Sequence, residues 1–433
     1  MSDPLQYQAT PNTEISDEAL KKAEKFIEEE EGASHKLKGW MAVLLTAIAV
    51  LTTVFHLYAA YGIVPTQQLR AIHVGLVLLL SFLMFPITKR FRHRIMWWDV
   101  ILALLSVGVI VYMLLGGDDF TDRAVTPNMW DKILGVALIL MVLEAARRTS
   151  GWIMPMVCVL FVIYAMAGPW LPAPWTHRGY DIARLIGHMY MTLEGIFGVA
   201  VDVSATLIIL FTIYGAFLQF SGAGKFFLDF SFAVMGGKPT GAGRTVVLAS
   251  FLLGGPSGSG VATTVTIGSV AYPMLAKAGY EKNAAGGLLA AGGLGAILSP
   301  PVLGAAAFLI AEFLKISYLD VIVMATVPTL LYYFSLFLMV ELDARKYGMG
   351  NVPFELAATA WQLAKKYWFH FASLISIIVF MLIGYSPTLS VFWSTVVAFV
   401  VSFFRRECAL ISYDVLTGKV PIVRGLWNSN FIK

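Results

Sequence analysis

The chain has 433 residues, of which 58% are hydrophobic and only 13% are charged. Soluble globular domains carry about 25% charged residues, so this composition, with a mean hydropathy of +0.74, indicates a membrane protein. A net charge of only +4 argues against nucleic-acid binding, which needs a strongly basic surface. Cys158 and Cys408 lie in or beside apolar runs and indicate neither a disulfide framework nor a transition-metal site.

The apolar runs predict an all-α, polytopic fold with about ten transmembrane helices. A polar, acidic segment at residues 1–37 comes first and is typical of a cytoplasmic tail, not of a cleavable signal. Spans of about 20 residues are predicted at residues 39–61, 69–88, 98–116, 133–146, 152–169, 198–221, 283–313, 318–340, 367–385 and 388–404. Residues 170–190 are expected at the outer surface, and 353–366 as an amphipathic helix at the inner surface.

The stretch between Arg244 and Lys282 is too short to cross a membrane twice. Two crossings need about 40 residues plus a turn, whereas two apolar segments, 245–253 and 261–275, flank the Gly- and Ser-rich residues 254–260. We therefore predict a re-entrant helical hairpin over 245–275. Irregular backbone at membrane depth is tolerated only where it is buried in protein or lines a cavity, and transporters use such broken helices to hold ions and substrates.

The distribution of Lys and Arg supports the hairpin independently. Basic residues precede the first span and follow the second, fourth, sixth, eighth and tenth spans and the hairpin, whereas residues 62–68 contain none and residues 117–131 are acidic. All basic loops fall on one side of the bilayer only if residues 244–282 re-enter. The positive-inside rule then places that side, and the N-terminus, in the cytoplasm.

The predicted hairpin tip is the first candidate site. Its residues are Ser257, Gly258, Ser259, Gly260 and Thr263. The end of the first helix presents carbonyl oxygens that attract a cation, and the start of the second presents N–H groups that attract an anionic group. Hydroxyl and carbonyl oxygens without an obligatory carboxylate suit Na⁺. The alternative is a glycine-rich loop that only packs tightly.

A second break is predicted in the seventh span, at Gly295, Ser299, Pro300 and Pro301. Two prolines remove backbone donors, so carbonyls near residues 296–299 are expected to lack a donor and to complete the ion site. The alternative is a proline kink in a helix whose small residues serve packing.

The ionisable residues in or near the spans are few. Asp202 is the best candidate for a functional carboxylate, and interfacial ion pairing is the other expectation for it and for Glu144, Glu312 and Glu341. No Walker A, HExxH or GxSxG motif is present, which argues against an ATP-driven pump and an intramembrane protease. We therefore expect a non-enzymatic protein without a cofactor, in which transport is coupled to an ion gradient.

Several motifs together resemble the large membrane subunit of tripartite ATP-independent periplasmic (TRAP) transporters, especially permeases fused to the small subunit. They are LEAARR at 143–148 with GW at 151–152, EGIFG at 194–198, GAFL at 215–218 with SG at 221–222, SGS at 257–259 with VAT at 261–263, GY at 279–280, GLG at 293–295 with SPP at 299–301, and GAAAF at 304–308. The resemblance covers roughly residues 140–315. Gly260 departs from it, since many members have Ala there, and Thr263 stands where fused members often have Asn.

The resemblance implies an elevator-type, Na⁺-coupled importer in the bacterial inner membrane. A separate periplasmic binding protein would deliver an organic acid such as a dicarboxylate, a keto acid or sialic acid. Residues 38–148 would correspond to the four-helix small subunit, 149–404 to the transport region and 405–433 to a cytoplasmic tail or a truncation point. The hairpin tip and the broken helix would form the first ion site and one wall of the substrate site.

The large subunit of that family has two inverted repeats, each with a hairpin, whereas one hairpin is found in this sequence. We therefore expect one half of an inverted-repeat transporter that does not transport alone. Either the sequence is a fragment or truncated product, or the missing C-terminal half comes from another chain. Two other classes stay open from the residues themselves. One is a channel with a re-entrant loop as its filter, and the other is a membrane scaffold whose glycine-rich helices only pack.

Overall fold

The computed structural model describes residues 34, 35, 37, 39–235, 240–257, 260–348 and 359–411. Within these ranges the regular secondary structure is helical and no β-strand occurs, which confirms the all-α prediction. The described residues up to Thr206 form one compact unit, and those from Leu207 onwards form another. The predicted tails lie largely outside the described residues, and the predicted domain boundary at residues 148–149 stays a prediction.

In the first unit, a helical bundle surrounds α2. Its described helices are α1 (Trp40–Tyr61), α2 (Thr66–Met84), α3 (Trp97–Asp122), α4 (Met129–Ser150), α5 (Ile153–Ala167), α6 (Ile182–Met191) and the start of α7 (Val199–Phe220). Helix α2 packs on α1, α3, α4 and the beginning of α7, and α6 packs on α3 and α4. Phe82, Met113, Leu138 and Tyr190 are almost fully buried among them and form the core of this unit.

Four charged side chains form an ion-pair network at one end of that bundle. The Arg148 guanidinium donates to Asp99 Oδ1 at 2.6 Å and to Glu144 Oε1 at 2.8 Å, and it also reaches the Phe85 carbonyl at 3.0 Å. Arg147 donates to the same Glu144 carboxylate at 2.7 Å. The network connects the end of α2, the start of α3 and the end of α4. Arg147 and Arg148 also lie in the last turn of α4, where a cation is favoured by the helix dipole.

Replacing Asp99 by Asn is expected to destabilise the first unit strongly. The side chains of Asp99 and Arg148 are both fully buried, and the substitution leaves Arg148 with one carboxylate, which it shares with Arg147. Removing one partner of a buried ion pair costs about 3–5 kcal/mol, so the apparent melting temperature in detergent should fall clearly. The matched control is Glu312→Gln, which breaks the exposed pair with Lys315 and should change little. Equal melting temperatures for both variants would contradict the expectation.

The second unit contains the remaining described helices. They are the part of α7 from Leu207, α8 (Ala223–Met235), α9 (Gly241–Ser257), α10 (Gly260–Lys277), α11 (Lys282–Ala296), α12 (Ala305–Leu314), α13 (Tyr318–Tyr347), α14 (Ala360–Tyr367), α15 (Phe369–Leu382) and α16 (Pro387–Ser402). Helices α15 and α16 pack on each other, and α16 packs on α7. Helices α9, α10 and α11 are in mutual contact, and α13 packs on α9, α11 and α12.

Helix α8 occupies a stretch for which no element was predicted. Phe226, Phe227 and Phe232 are buried on it, and the ring of Phe371 lies 5.2 Å from that of Phe226 and 5.4 Å from that of Phe227. Its 13 residues are too few for a span of about 20. The sequence shows apolar residues there, but only the tertiary structure shows that they pack against α15.

Six described helical segments are long and apolar enough to cross a membrane, and the pair α14–α15, bent by 63°, makes a seventh if it is one span. The six are α1, α2, α3, α5 with its following turn to Trp170, α7 and α13. A polytopic membrane protein is confirmed, whereas the predicted number of ten spans is not. The seventh predicted span is divided into the short helices α11 and α12.

The two predicted interfacial segments contain only short helices. Residues 170–190 form turns followed by the ten-residue helix α6, too short for a span. Residues 353–358 of the predicted inner-surface helix lie outside the described residues. From Ala360 onwards α14 buries Leu363 and Tyr367, whereas Trp361 is 76% exposed, as expected of an amphipathic helix.

Candidate ion and substrate site

Helices α9 and α10 form the predicted hairpin. Helix α9 ends at Ser257 and α10 begins at Gly260; Gly258 and Ser259 lie outside the described residues, and the side chain of Ser257 is not described. The direction of the two helices follows from their contacts with α11. On α9, Ser250 lies against Gly292 and Gly254 against Ala296, so α9 and α11 run parallel.

Helix α10 contacts α11 in the opposite direction. Gly260 lies against Gly293, and Gly268 lies against Leu289, so α10 runs antiparallel to α11. Helices α9 and α10 are therefore antiparallel to each other, and the chain leaves the hairpin on the side at which it entered. The side of the membrane on which this occurs stays a prediction.

Small residues allow α11 to touch both helices of the hairpin. A Cβ atom on Gly293 would overlap the Thr264 hydroxyl and the Gly260 carbonyl oxygen, and a Cβ atom on Gly254 would overlap the backbone of Ala296. The Thr264 hydroxyl donates to the Gly260 carbonyl at 2.8 Å and lies 3.4 Å from the Leu289 carbonyl. Backbone contact of this kind is the usual role of small residues between membrane helices.

The predicted break in the seventh span is present at the level of the hairpin tip. Helix α11 ends at Ala296 and α12 begins at Ala305, and the Gly304 N–H donates to the Ile297 carbonyl at 2.8 Å. Gly295, Ser299, Pro300 and Pro301 all belong to this break or to the turn before it. The structure therefore brings the broken helix next to Gly260 of the tip.

The expectation that carbonyls near residues 296–299 lack a donor is wrong for residues 296–298. The Ala296 carbonyl accepts from the Ser299 N–H at 3.4 Å, and the Ile297 carbonyl accepts from Gly304. The Leu298 carbonyl lies 2.6 Å from the Thr329 hydroxyl. The chain folds back on itself and supplies donors to the first two oxygens, and α13 places a hydroxyl beside the third. Each carbonyl oxygen has a second lone pair, so coordination of a cation is still available to them.

Helix α13 supplies hydroxyl groups that were missed in the sequence. Ser299 is fully buried; its hydroxyl donates to the Gly295 carbonyl at 2.9 Å, and the Tyr333 hydroxyl lies 2.9 Å from it. Tyr332 donates to the Ala291 carbonyl at 2.6 Å. The sequence shows the pairs Pro328–Thr329 and Tyr332–Tyr333 within this long apolar run. Nothing in the sequence indicates that they contact residues 295–299.

A buried hydroxyl on α9 was also missed. Ser250 is fully buried against Gly292, and its oxygen has no hydrogen-bond partner among the described residues. Thr263, a predicted site residue, is 1% exposed on the first turns of α10. Buried hydroxyl groups are almost always satisfied by protein, water or an ion, so Ser250 leaves an unused hydrogen-bonding group beside the broken helix.

Asp202 lies in the first unit and is engaged in an ion pair. Arg70 Nε is 2.9 Å from the Asp202 carboxylate, and Arg70 Nη1 donates to the Phe197 carbonyl at 2.9 Å.

The other three carboxylates near the spans are also paired. Glu144 pairs with Arg147 and Arg148, and Glu312 pairs with Lys315. Glu341 pairs with Arg244 at 2.5 Å. The expected pairing is confirmed for all four carboxylates, and a functional role for Asp202 stays a prediction.

The helix directions give the tip a defined polarity. The C-terminal ends of α9 and α11 and the N-terminal end of α10 meet there. Two helix C-termini carry partial negative charge and favour a cation, while one N-terminus carries partial positive charge and favours an anionic group. Ser250 on α9, Thr264 on α10 and Ser299 in the break after α11 add neutral hydroxyl oxygens to the segments that meet there. The arrangement is suited to binding a monovalent cation together with an anion.

One known protein family matches this part of the chain. The family described as the DctM component of the tripartite ATP-independent periplasmic transporter matches residues 137–417. A 2,3-diketo-L-gulonate TRAP transporter large permease of Escherichia coli is 35% identical over 109 residues, which are 25% of this chain and 26% of the relative. C4-dicarboxylate TRAP transporter large permeases of Rhodobacter capsulatus and Pseudomonas aeruginosa are 36% and 33% identical over 91 residues, which are 21% of this chain and 21% of each relative.

These alignments span about a quarter or less of each curated relative. The family match, in contrast, extends over more than half of the 433 residues and includes the hairpin, the broken helix and α13. The chain therefore belongs to the DctM-component family of TRAP transporters, a family of membrane transport permeases and not of enzymes.

Proposed function

We propose that this chain is the membrane permease of an ion-gradient-driven importer in the bacterial inner membrane, with Na⁺ as the coupling ion and an organic acid as the substrate. A periplasmic binding protein would deliver the substrate. The single observation that carries the proposal is the meeting of the α9, α10 and α11 ends at one point. A cation there would offset the two helix C-termini, and the carboxylate of the substrate would be stabilised by the α10 N-terminus.

Neutral oxygen ligands support Na⁺ as the cation. Hard cations prefer oxygen ligands, and the residues at the tip and the break offer carbonyls and hydroxyls. The relatives named above for diketo-gulonate and C4-dicarboxylates act on organic acids by their names, which supports a carboxylate-bearing substrate. The N-terminal region, residues 38–148, would serve as the small membrane subunit, and the N-terminus would be cytoplasmic.

Sodium is expected to stabilise the purified chain in detergent. A ligand that binds only the folded state adds about 2.7 kcal/mol of stability at 100 times its Kd, which raises the melting temperature of a domain of this size by several degrees. We therefore expect a higher melting temperature in NaCl than in KCl at equal ionic strength. Ser250→Ala and Ser299→Ala should each reduce this difference.

The matched control is Ser335→Ala on α13. That hydroxyl is exposed and bonds the Tyr332 carbonyl of its own helix at 2.7 Å, so the sodium effect should be unchanged. A melting temperature that is the same in NaCl and KCl up to high concentration would contradict sodium binding. A sodium effect that survives in both Ser250→Ala and Ser299→Ala would show that the ion binds elsewhere.

A further inference from the structure

Two histidines are joined inside the first unit. His56 on α1 and His73 on α2 are 1% and 4% exposed, and His56 Nε2 lies 2.8 Å from His73 Nδ1. At one end, His56 Nδ1 lies 2.7 Å from the Thr52 carbonyl oxygen. At the other end, His73 Nε2 lies 3.0 Å from the hydroxyl of Ser204 on α7. Four groups therefore form one continuous chain of hydrogen bonds across three helices.

Only one arrangement of protons satisfies this chain when both rings are neutral. The Thr52 carbonyl can only accept, so His56 Nδ1 must carry its proton. His56 Nε2 is then an acceptor, and His73 Nδ1 must carry the proton between the rings. His73 Nε2 is left as an acceptor for the Ser204 hydroxyl. Both rings are thus held with the proton on Nδ1.

The same geometry accepts one additional proton without losing a bond between the rings. When His73 Nε2 is protonated, its N–H donates to the Ser204 oxygen, and the Ser204 hydroxyl rotates to donate to the carbonyl one turn earlier, as serines in helices often do. A second proton would break the bond between the rings and place two positive charges next to each other, which is strongly unfavourable in a low-dielectric interior.

Most charged groups on the helices around the two rings are engaged in ion pairs. They therefore supply no free counter-charge to a protonated ring. Helix α1 carries no charged residue. Arg70 lies one turn before His73 on α2 and is paired with Asp202, which lies two residues before Ser204 on α7.

On the packed helix α3, Asp99 is paired with Arg148 of α4, and three aspartates lie at the opposite end of α3. On α4, Asp131 is paired with Arg123, and Glu144 with Arg147 and Arg148.

Ser204 is the end of the hydrogen-bonded chain that lies nearest the protein surface. It is the one of the four groups that is only half-buried, and it starts the π-helical segment Ser204–Ile208 within α7. Segments of this kind occur frequently at functional sites. Ionisable residues inside membrane helices also mark ion and proton sites more often than structural ones.

We propose that the chain Thr52–His56–His73–Ser204 is a proton-binding site that takes up a single proton from water at His73 Nε2. The proton forms one new N–H bond, no covalent bond is broken, and the Ser204 hydroxyl reverses its direction. His56 and His73 lie in the predicted small-subunit-like region, and Ser204 lies in the predicted transport region. The site does not depend on the proposed sodium site. It gives α1, α2 and α7 two hydrogen-bonded states that differ by one charge.

The test is ¹⁵N solid-state NMR of the full chain, labelled at its seven histidines and reconstituted in lipid bilayers. His56→Gln and His73→Gln spectra assign the two rings. At pH 8 both rings are expected to carry the proton on Nδ1, although free histidine prefers Nε2. On acidification towards pH 4.5, one charge is expected to appear, with the signals of both rings changing at the same midpoint because they share a hydrogen bond.

Ser204→Ala removes the acceptor of the charged ring. It is expected to lower the midpoint by about one pH unit, because the hydrogen bond to the charged ring is stronger than the bond to the neutral ring that the variant also loses. Thr53→Val is the matched control, since this exposed hydroxyl on α1 bonds only the Ala49 carbonyl at 3.0 Å, and the midpoint should not move. If a variant fails to fold, the wild-type tautomers and titration decide the question alone.

Four outcomes would overturn the proposal. They are a proton on Nε2 of either ring at pH 8, two rings that both stay neutral down to pH 4.5, two rings that titrate independently, and a Ser204→Ala midpoint equal to that of the wild type.

Discussion

Gly293→Leu is expected to separate α11 from the hairpin and to abolish the sodium effect on stability. A side chain at this position meets the Thr264 hydroxyl and the Gly260 carbonyl oxygen, and the second of these is backbone that no rotamer change can move. Overpacking of a tight contact costs about 1–3 kcal/mol and sometimes more, so the melting temperature should fall by on the order of 5–10 °C. The measurements are thermal melts in NaCl and in KCl.

The same helix provides the matched control. A Cβ atom on Gly286 has no neighbour within 4 Å, and this glycine is exposed, so Gly286→Leu makes the same chemical change in open space. This variant should melt at or above the wild-type temperature, since glycine in a helix is unfavourable by about 0.5–1 kcal/mol relative to alanine. Equal melting temperatures for the two variants would show that the contact between α11 and α10 does not contribute to stability.

Cysteines placed before and after the hairpin are expected to label from the same side of the membrane. Val234 at the end of α8 and Lys282 at the start of α11 are both exposed. In intact cells without an outer membrane, Val234→Cys and Lys282→Cys should resist a maleimide that cannot cross the membrane and should react after permeabilisation. The antiparallel directions of α9 and α10 require this result on whichever side the hairpin opens, and the positive-inside rule assigns the cytoplasm.

Two further positions calibrate that experiment. His93→Cys is predicted to be cytoplasmic and Val125→Cys periplasmic, and both residues are exposed. Cys158 is exposed on α5 and should first be replaced by Ser. Cys408 follows α16, and burial raises the pKa of its thiol to about 11, so little reactive thiolate forms at neutral pH. External labelling of Lys282→Cys with protection of Val234→Cys would refute the hairpin.

The hairpin could be predicted because two simple constraints act on it. Its apolar stretch is too short for two spans. The Lys and Arg residues before and after it lie on the same face of the membrane only if the chain returns. The break at Ser299, Pro300 and Pro301 could be predicted because proline cannot donate a backbone hydrogen bond. The hairpin and the break both depend on residues that are close to one another in the sequence.

The contacts that complete the site could not be predicted, because they join residues that are distant in the sequence. Tyr333 reaches Ser299 across 34 positions and Thr329 reaches Leu298 across 31. As a result, the Leu298 carbonyl has a hydroxyl of α13 beside it, whereas the carbonyls of Ala296 and Ile297 accept from N–H groups a few residues further along the chain. The chain of His56, His73 and Ser204 is a similar case, since His73 and Ser204 are 131 positions apart.

The sequence by itself determined that this is a helical membrane protein, where its backbone breaks, and which small residues lie at those breaks. These properties depend on hydropathy, charge and local backbone chemistry, all of which are local to a few residues. Only the tertiary structure decided which helix ends meet, that α11 runs parallel to α9 and antiparallel to α10, and which hydroxyls and rings are paired. Such pairing depends on packing between helices, for which one sequence contains no direct signal.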